Sequence, residues 1–180
     1  MQKSEFINLK KNGFIDSFAS IENAMKYYNS DPMVCCSLFR KALESIIMDV
    51  YSLFGSSIKG HNKRDIDNLD EVIPDAFFDD NIILEMNNVR IIGNAYAHHG
   101  ESEERDVSKD KLTCYVAMKK IAEWLVDCKQ RYPLYLKEQE ERRKERKVKR
   151  KRAIKTAGRI VGGILTVVAA ILGGKKIAGK

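Results

Sequence analysis

Residues 81–99 read NIILEMNNVRIIGNAYAHH, and the rest of the chain is legible from this stretch outward. At about 100° per residue, the turn of an α-helix, Ile82, Met86, Val89, Gly93, Tyr96 and Ala97 share one face. Leu84, Ile91 and Ala95 fall on a second, nearly opposite face. A helix that is apolar on two sides is expected to be buried rather than laid on a surface. Between the two faces runs a narrow polar stripe of Asn87, Arg90, Asn94 and His98. Burying such groups is costly unless partners satisfy them, which makes the stripe the candidate site.

The flanking sequence has the same helical period. Only three prolines occur, and no run alternates apolar and polar residues for long, so an all-α fold is expected, an antiparallel helical bundle. A first helix is expected over 14–28 with Phe18, Ile21 and Met25 inward, after a polar lead-in, 1–13. Asp31 and Pro32 form an N-cap and first-turn pair for a second helix, 32–54, which Gly55 ends. Arg40 and Glu44 lie one turn apart on its border, either as a surface ion pair or as partners for the central stripe. A loop holding His61, 56–64, and a short helix, 65–72, follow. Asp79, Asp80 and Asn81 cap the central helix, and Gly100 closes it. A further helix, 108–128, starts after a Ser108 cap and carries apolar positions at 114, 117, 121, 124 and 128, the seam of a bundle.

Charge divides the chain. The net charge is +7, but 142–155 holds ten Lys/Arg against one Glu, and 156–180 adds four cations. The first 141 residues are therefore acidic, and the pull on anionic partners lies in the arm: Arg142, Arg143, Lys144, Arg146, Lys147, Lys149, Arg150, Lys151 and Arg152. The expected organisation is lead-in 1–13, helical domain 14–132, charged arm 133–155 and Gly-rich apolar tail 156–180, with Pro133 ending the globular part. The arm reads as a long charged helix with Glu138–Arg142, Glu140–Lys144 and Glu145–Lys149 pairs. In the tail, 160–174 is uncharged, short of the about 17–25 residues of a spanning helix unless Lys155, Arg159, Lys175 and Lys176 snorkel. This suggests a cytoplasmic protein associated with the inner membrane through 142–176, with no N-terminal signal peptide. Cys35, Cys36, Cys114 and Cys128 form no CxxC pair and are expected as buried free thiols in a reducing compartment. No P-loop, GxSxG, HExxH or metal-spaced set occurs, and the adjacent His98 and His99 point about 100° apart, so no cofactor is expected.

Two segments, FRKALESIIMDVY at 39–51 and VRIIGNAYAHH at 89–99, carry a family resemblance. Arg40, Leu43 and Glu44, then Arg90, Gly93, Asn94 and His98, match the pattern R-x-x-L-E followed by R-x-x-G-N-x-x-x-H. The chain over about 14–130 thus resembles a family of unknown function found alone and at the N-terminus of type I restriction R subunits. That family is grouped with the HEPN superfamily, all-helical domains of prokaryotic defence and toxin systems. The resemblance implies an RNA-directed domain, usually a homodimer. Active HEPN ribonucleases place Arg and His four to six residues apart on one helix. His acts as general acid/base, Arg stabilises the phosphorane charge, and no metal is needed. Carried onto this chain, the catalytic residues would be Arg90, Asn94 and His98, supported by Arg40, Glu44 and Asn87. Here seven residues separate Arg90 from His98, and apolar Ile91 follows Arg90 where a polar residue is common. Two alternatives stay open. The stripe is a buried polar network that fixes packing, in a non-catalytic membrane-tethered interaction or sensor protein. Or the arm itself binds nucleic acid.

Overall fold

The computed structural model describes residues 4–55, 66–98 and 105–174, with side chains for 4–55, 66–97 and 105–151. Among the described residues there is no strand, and the fold is an all-helical bundle. The chain divides into two compact units, Met1–Arg131 and Tyr132–Lys180.

The first unit holds α1 (Ile7–Lys11), α2 (Ile15–Met25), α3 (Pro32–Phe54), a 3-10 turn (Ile66–Asn68) leading into α4 (Leu69–Val72), α5 (Asp80–His98) and the first turns of α6 (Val107–Gly174). The expected polar lead-in is thus partly a helix. Phe6 and Leu9 are buried there, Phe6 edge-on to Tyr115, and that burial offsets the weak propensity of a five-residue helix. Gly13, at φ +89°, makes the left-handed turn into α2 at a conformation other residues adopt only with strain. The buried side of α2 is Ser17, Ile21 and Ala24, rotated from the expected Phe18, Ile21 and Met25. Ser17 is drawn inward because its hydroxyl donates to Asp49 Oδ2 at 2.5 Å.

Helix α3 starts as its sequence directs. Asp31 accepts a hydrogen bond from the Val34 amide at 3.1 Å, and Pro32 occupies the first turn, where its missing N–H costs nothing. Helix α3 packs on α2 and α5, and its stripe of Phe39, Leu43, Ile46 and Val50 is buried, as are Ile21 of α2, Met86 and Val89 of α5, and Met118, Ile121 and Leu125 of α6. Full burial of each such side chain stabilises by about 1.5–3 kcal/mol. All four cysteines are buried free thiols. Helix α6 is capped by Asp106, which accepts from the Lys109 amide at 3.1 Å, not by Ser108. Its core seam runs through Cys114, Ala117, Met118, Ile121, Leu125 and Cys128. Trp124, expected in that seam, sits at the rim, where its indole N–H donates to the Phe77 carbonyl at 3.1 Å.

The second unit begins one residue before Pro133, which lies inside α6 rather than ending a helix. Proline there removes one intrahelical hydrogen bond. Tyr132 and Tyr135 stack with centroids 6.1 Å apart, and Lys144 pairs with Glu140 at 2.8 Å. Every side chain from Leu136 to Lys151 is exposed. Among the described residues, no helix is long and apolar enough to cross a membrane. Arg152 and the apolar tail side chains, 156–180, lie outside the residues whose side chains are described.

Candidate functional site on helix α5

Helix α5 packs against α3 and pairs with α6. Its N-terminus is fixed by Asp79, whose Oδ1 accepts from the Asn81 amide at 2.9 Å. Toward α6, Glu85 pairs with Lys120, and Tyr96 donates its hydroxyl proton to Asp110 Oδ2 at 2.8 Å. The first pair joins the early part of α5 to a later turn of α6, and the second joins its end to the start of α6, so the two helices run antiparallel. Toward α3, Gly93 is buried against Arg40 and Cys36. A Cβ at position 93 would collide with Arg40 Cβ and come 3.0 Å from the Cys36 carbonyl oxygen. Gly93 is what lets the two motif-bearing helices touch.

This seating buries one face of α5, through Ile82, Met86, Val89 and Ile92, and leaves the other in solvent. Leu84 and Ile91, expected inside, are 60% and 56% exposed. The second apolar face covers nothing because α3 and α6 both lie on the first. The polar stripe is therefore the margin of an open surface rather than an enclosed seam.

Arg90 is exposed, and its Nε and Nη2 both donate to Asn87 Oδ1, at 3.2 and 2.9 Å. Asn87 in turn donates to the Ile83 carbonyl at 3.2 Å. The guanidinium is steadied along its own helix and keeps N–H donors for a ligand. Asn94, one turn on, is half-buried. His98 is the last residue of α5, and its side chain, like all of His99 and Gly100, lies outside the described residues, as do residues 56–65 with His61, expected as a loop over 56–64, and the acidic residues 101–104. Arg40 pairs with Glu44 at 3.3 Å. Among the described residues no ion pair joins either of them to Arg90, so five of the six predicted residues give two local pairs, Arg40 with Glu44 and Arg90 with Asn87, and Asn94 one turn beyond Arg90, with Gly93 at the helix crossing.

The chain also has a cluster that sequence reasoning passed over. Asp110 receives both the Tyr96 hydroxyl and Arg105 Nε, the latter at 2.9 Å, and the Arg105 guanidinium stands 5.8 Å from the Tyr96 ring centre. Burial, then the bond to Asp110, pushes the Tyr96 phenol up to about 12. The signal was Asp110 one turn after the Asp106 cap, level with the end of α5, which only the antiparallel pairing reveals. Beside it, Val34, Leu38, Lys41, Tyr96 and Ala97 line a shallow concavity between α3 and the C-terminal end of α5. Among the described residues no group of acidic, His or Cys side chains is arranged to hold a metal.

With this geometry in place, comparison with protein families matches the chain to a domain of unknown function, DUF4145, over residues 22–151. The chain belongs to the DUF4145 family. No curated protein and no solved structure matches it. The DUF4145 match takes in the whole of α3 and α5, the Tyr96–Arg105–Asp110 cluster and the exposed cationic stretch of α6. Helix α1 and the apolar tail fall outside it.

Proposed function

We propose that this DUF4145 protein is a HEPN-like, defence- or toxin-type RNA-binding protein that addresses RNA with the outer face of α5. The stronger form of the same reading is a metal-independent endoribonuclease. The observation that carries it is the openness of that face: Arg90 is held by Asn87 yet exposed, with Asn94 one turn away. Arg90 would contact a backbone phosphate, a charge-assisted bond stronger than a neutral one. Exposed Ile91 and Leu84 beside it offer apolar surface to a base or to a second copy of the chain. In the catalytic form His98 takes the proton of the ribose 2′-hydroxyl. The freed oxygen attacks the adjacent phosphorus, and the 5′-oxygen leaves with a proton taken from water, giving a 2′,3′-cyclic phosphate and a 5′-hydroxyl end. Because Arg90 and His98 of one helix stand about 12 Å apart, the extra charge falls to Arg90 of a second copy of the chain.

Photo-cross-linking of 4-thiouridine RNA to the full chain, read by peptide mass spectrometry, locates the contact. Cross-links on the α5 peptide that fall away in Arg90→Ala support the reading. Cross-links confined to other segments contradict it.

The second reading is a non-catalytic protein held at the inner membrane by its C-terminal tail. The uncharged sequence 160–174 beside a polybasic arm favours it. Cell fractionation of the full chain and of a version ending at residue 155 decides it. A membrane-bound full chain and a soluble truncation are expected, and two soluble chains remove the idea.

A further inference from the structure

Eight of the ten residues from Arg142 to Lys151 are Lys or Arg, Glu145 and Val148 being the others, and all ten side chains are exposed on continuous helix. Such a helix resists its own charge. Arg142 and Arg146, Arg143 and Lys147, Arg146 and Arg150, and Lys147 and Lys151 each repel at four-residue spacing. At about 100° per residue the cations of 142–151 sweep an arc of about 220°, and Glu145 and Val148 fall in the remaining sector of about 140°, with Glu141 before them and Arg152 after them on the same side.

The width of that arc selects the partner. A flat anionic bilayer meets only one side of a rod, and surface helices hold to it by burying an apolar face. Here the one apolar residue, Val148, stands beside two glutamates. A groove with a phosphate wall on each flank meets the whole arc. The major groove of B-form DNA is about 12 Å wide, and an α-helix with its side chains is about 10–12 Å across. The major groove of duplex RNA is too narrow and deep to admit one. We propose that the helical segment 142–151 lies in the major groove of double-stranded DNA, with its cations on the phosphates of both strands and the Glu141, Glu145 and Val148 strip turned outward. Contacts of this kind are independent of base sequence.

The test uses the full chain and fluorescence anisotropy with a labelled mixed-sequence DNA duplex, the matching RNA duplex, and phosphatidylserine–phosphatidylcholine vesicles. The DNA duplex should bind at least about tenfold tighter than the RNA duplex, and its affinity should fall about 10³-fold between about 50 and 200 mM salt. The triple variant Arg143→Gln, Lys147→Gln, Arg150→Gln should bind at least about 100-fold more weakly at low salt, with a salt slope reduced by about three. Val148→Ala, on the outward strip, should bind as the parent does. Circular dichroism checks that each variant keeps its helix. No DNA binding at low salt, RNA duplex or vesicle binding that matches the DNA binding and is weakened as much by the triple variant, an unaffected triple variant, or a loss in Val148→Ala would each overturn the proposal. RNA cleavage by the α5 face is read separately and does not bear on it.

Discussion

Gly93 of α5 packs directly on Arg40 of α3, with no room between them for a methyl group. The two sequence motifs of this chain, one on each helix, therefore meet at a backbone crossing and not through their charged ends. Arg40 turns to Glu44 and Arg90 to Asn87.

Gly93→Ala places a carbon against Arg40 Cβ and the Cys36 carbonyl oxygen, and backbone cannot swing aside as a side-chain tip can. Overpacking of this kind costs about 1–3 kcal/mol. Chemical denaturation should show a loss of about 2 kcal/mol. Glu44→Gln, which breaks only a part-exposed pair one turn long, should change stability by about 0.5 kcal/mol or less. Equal effects from the two substitutions would show that the crossing is not tight.

Tyr96 favours its protonated form in the fold, because burial and then the Asp110 bond raise its phenol from the ordinary value near 10 to about 12. The stability this gives is fully present below about pH 10 and disappears as pH rises toward 12. Tyr96→Phe, which also loses the hydrogen bond, should be less stable at neutral pH by about 1 kcal/mol. The difference in stability between parent and variant should hold steady to about pH 10 and shrink above it. A difference that grows above pH 10 would reverse the assignment.

The four thiols should be silent in the native protein. Burial holds Cys35 and Cys128 up at about 12, and a bond to Cys36, with burial, raises Cys114 further. Cys36 is shifted the other way, down, by its hydrogen bond with Cys114, and it is full burial that keeps it from a reagent. The thiolate is the reactive form, so a thiol-specific disulfide reagent should titrate none at neutral pH and all four after denaturation. Rapid labelling of any one in the folded chain would mean that the core opens there.

Much of the fold was legible because helices announce themselves by period. The α3 boundaries, set by Asp31, Pro32 and Gly55, and the extent of α5 follow from caps and spacing. What the period could not give was which side of α5 the bundle would cover. Leu84 and Ile91 are as apolar as Ile82 and Val89, and only the third-dimensional fact that α3 and α6 sit together decides that they face water. For the same reason Trp124 moved to the rim and Ser17 moved in, each following one hydrogen bond to a distant residue. Of the candidate site, Arg90, Asn87 and Asn94 were found as a helical stripe. The Tyr96, Arg105 and Asp110 cluster was not, because its members come from three points joined only by the antiparallel return of α6.

The central claim is that the open face of α5 acts on RNA. The most direct measurement is incubation of the purified full chain with cellular RNA in excess EDTA, beside Arg90→Ala and His98→Ala. The account predicts cleavage that persists without metal, leaves 2′,3′-cyclic phosphate ends, and is lost in both variants. RNA left intact by the parent, or cut equally well by His98→Ala, would contradict it.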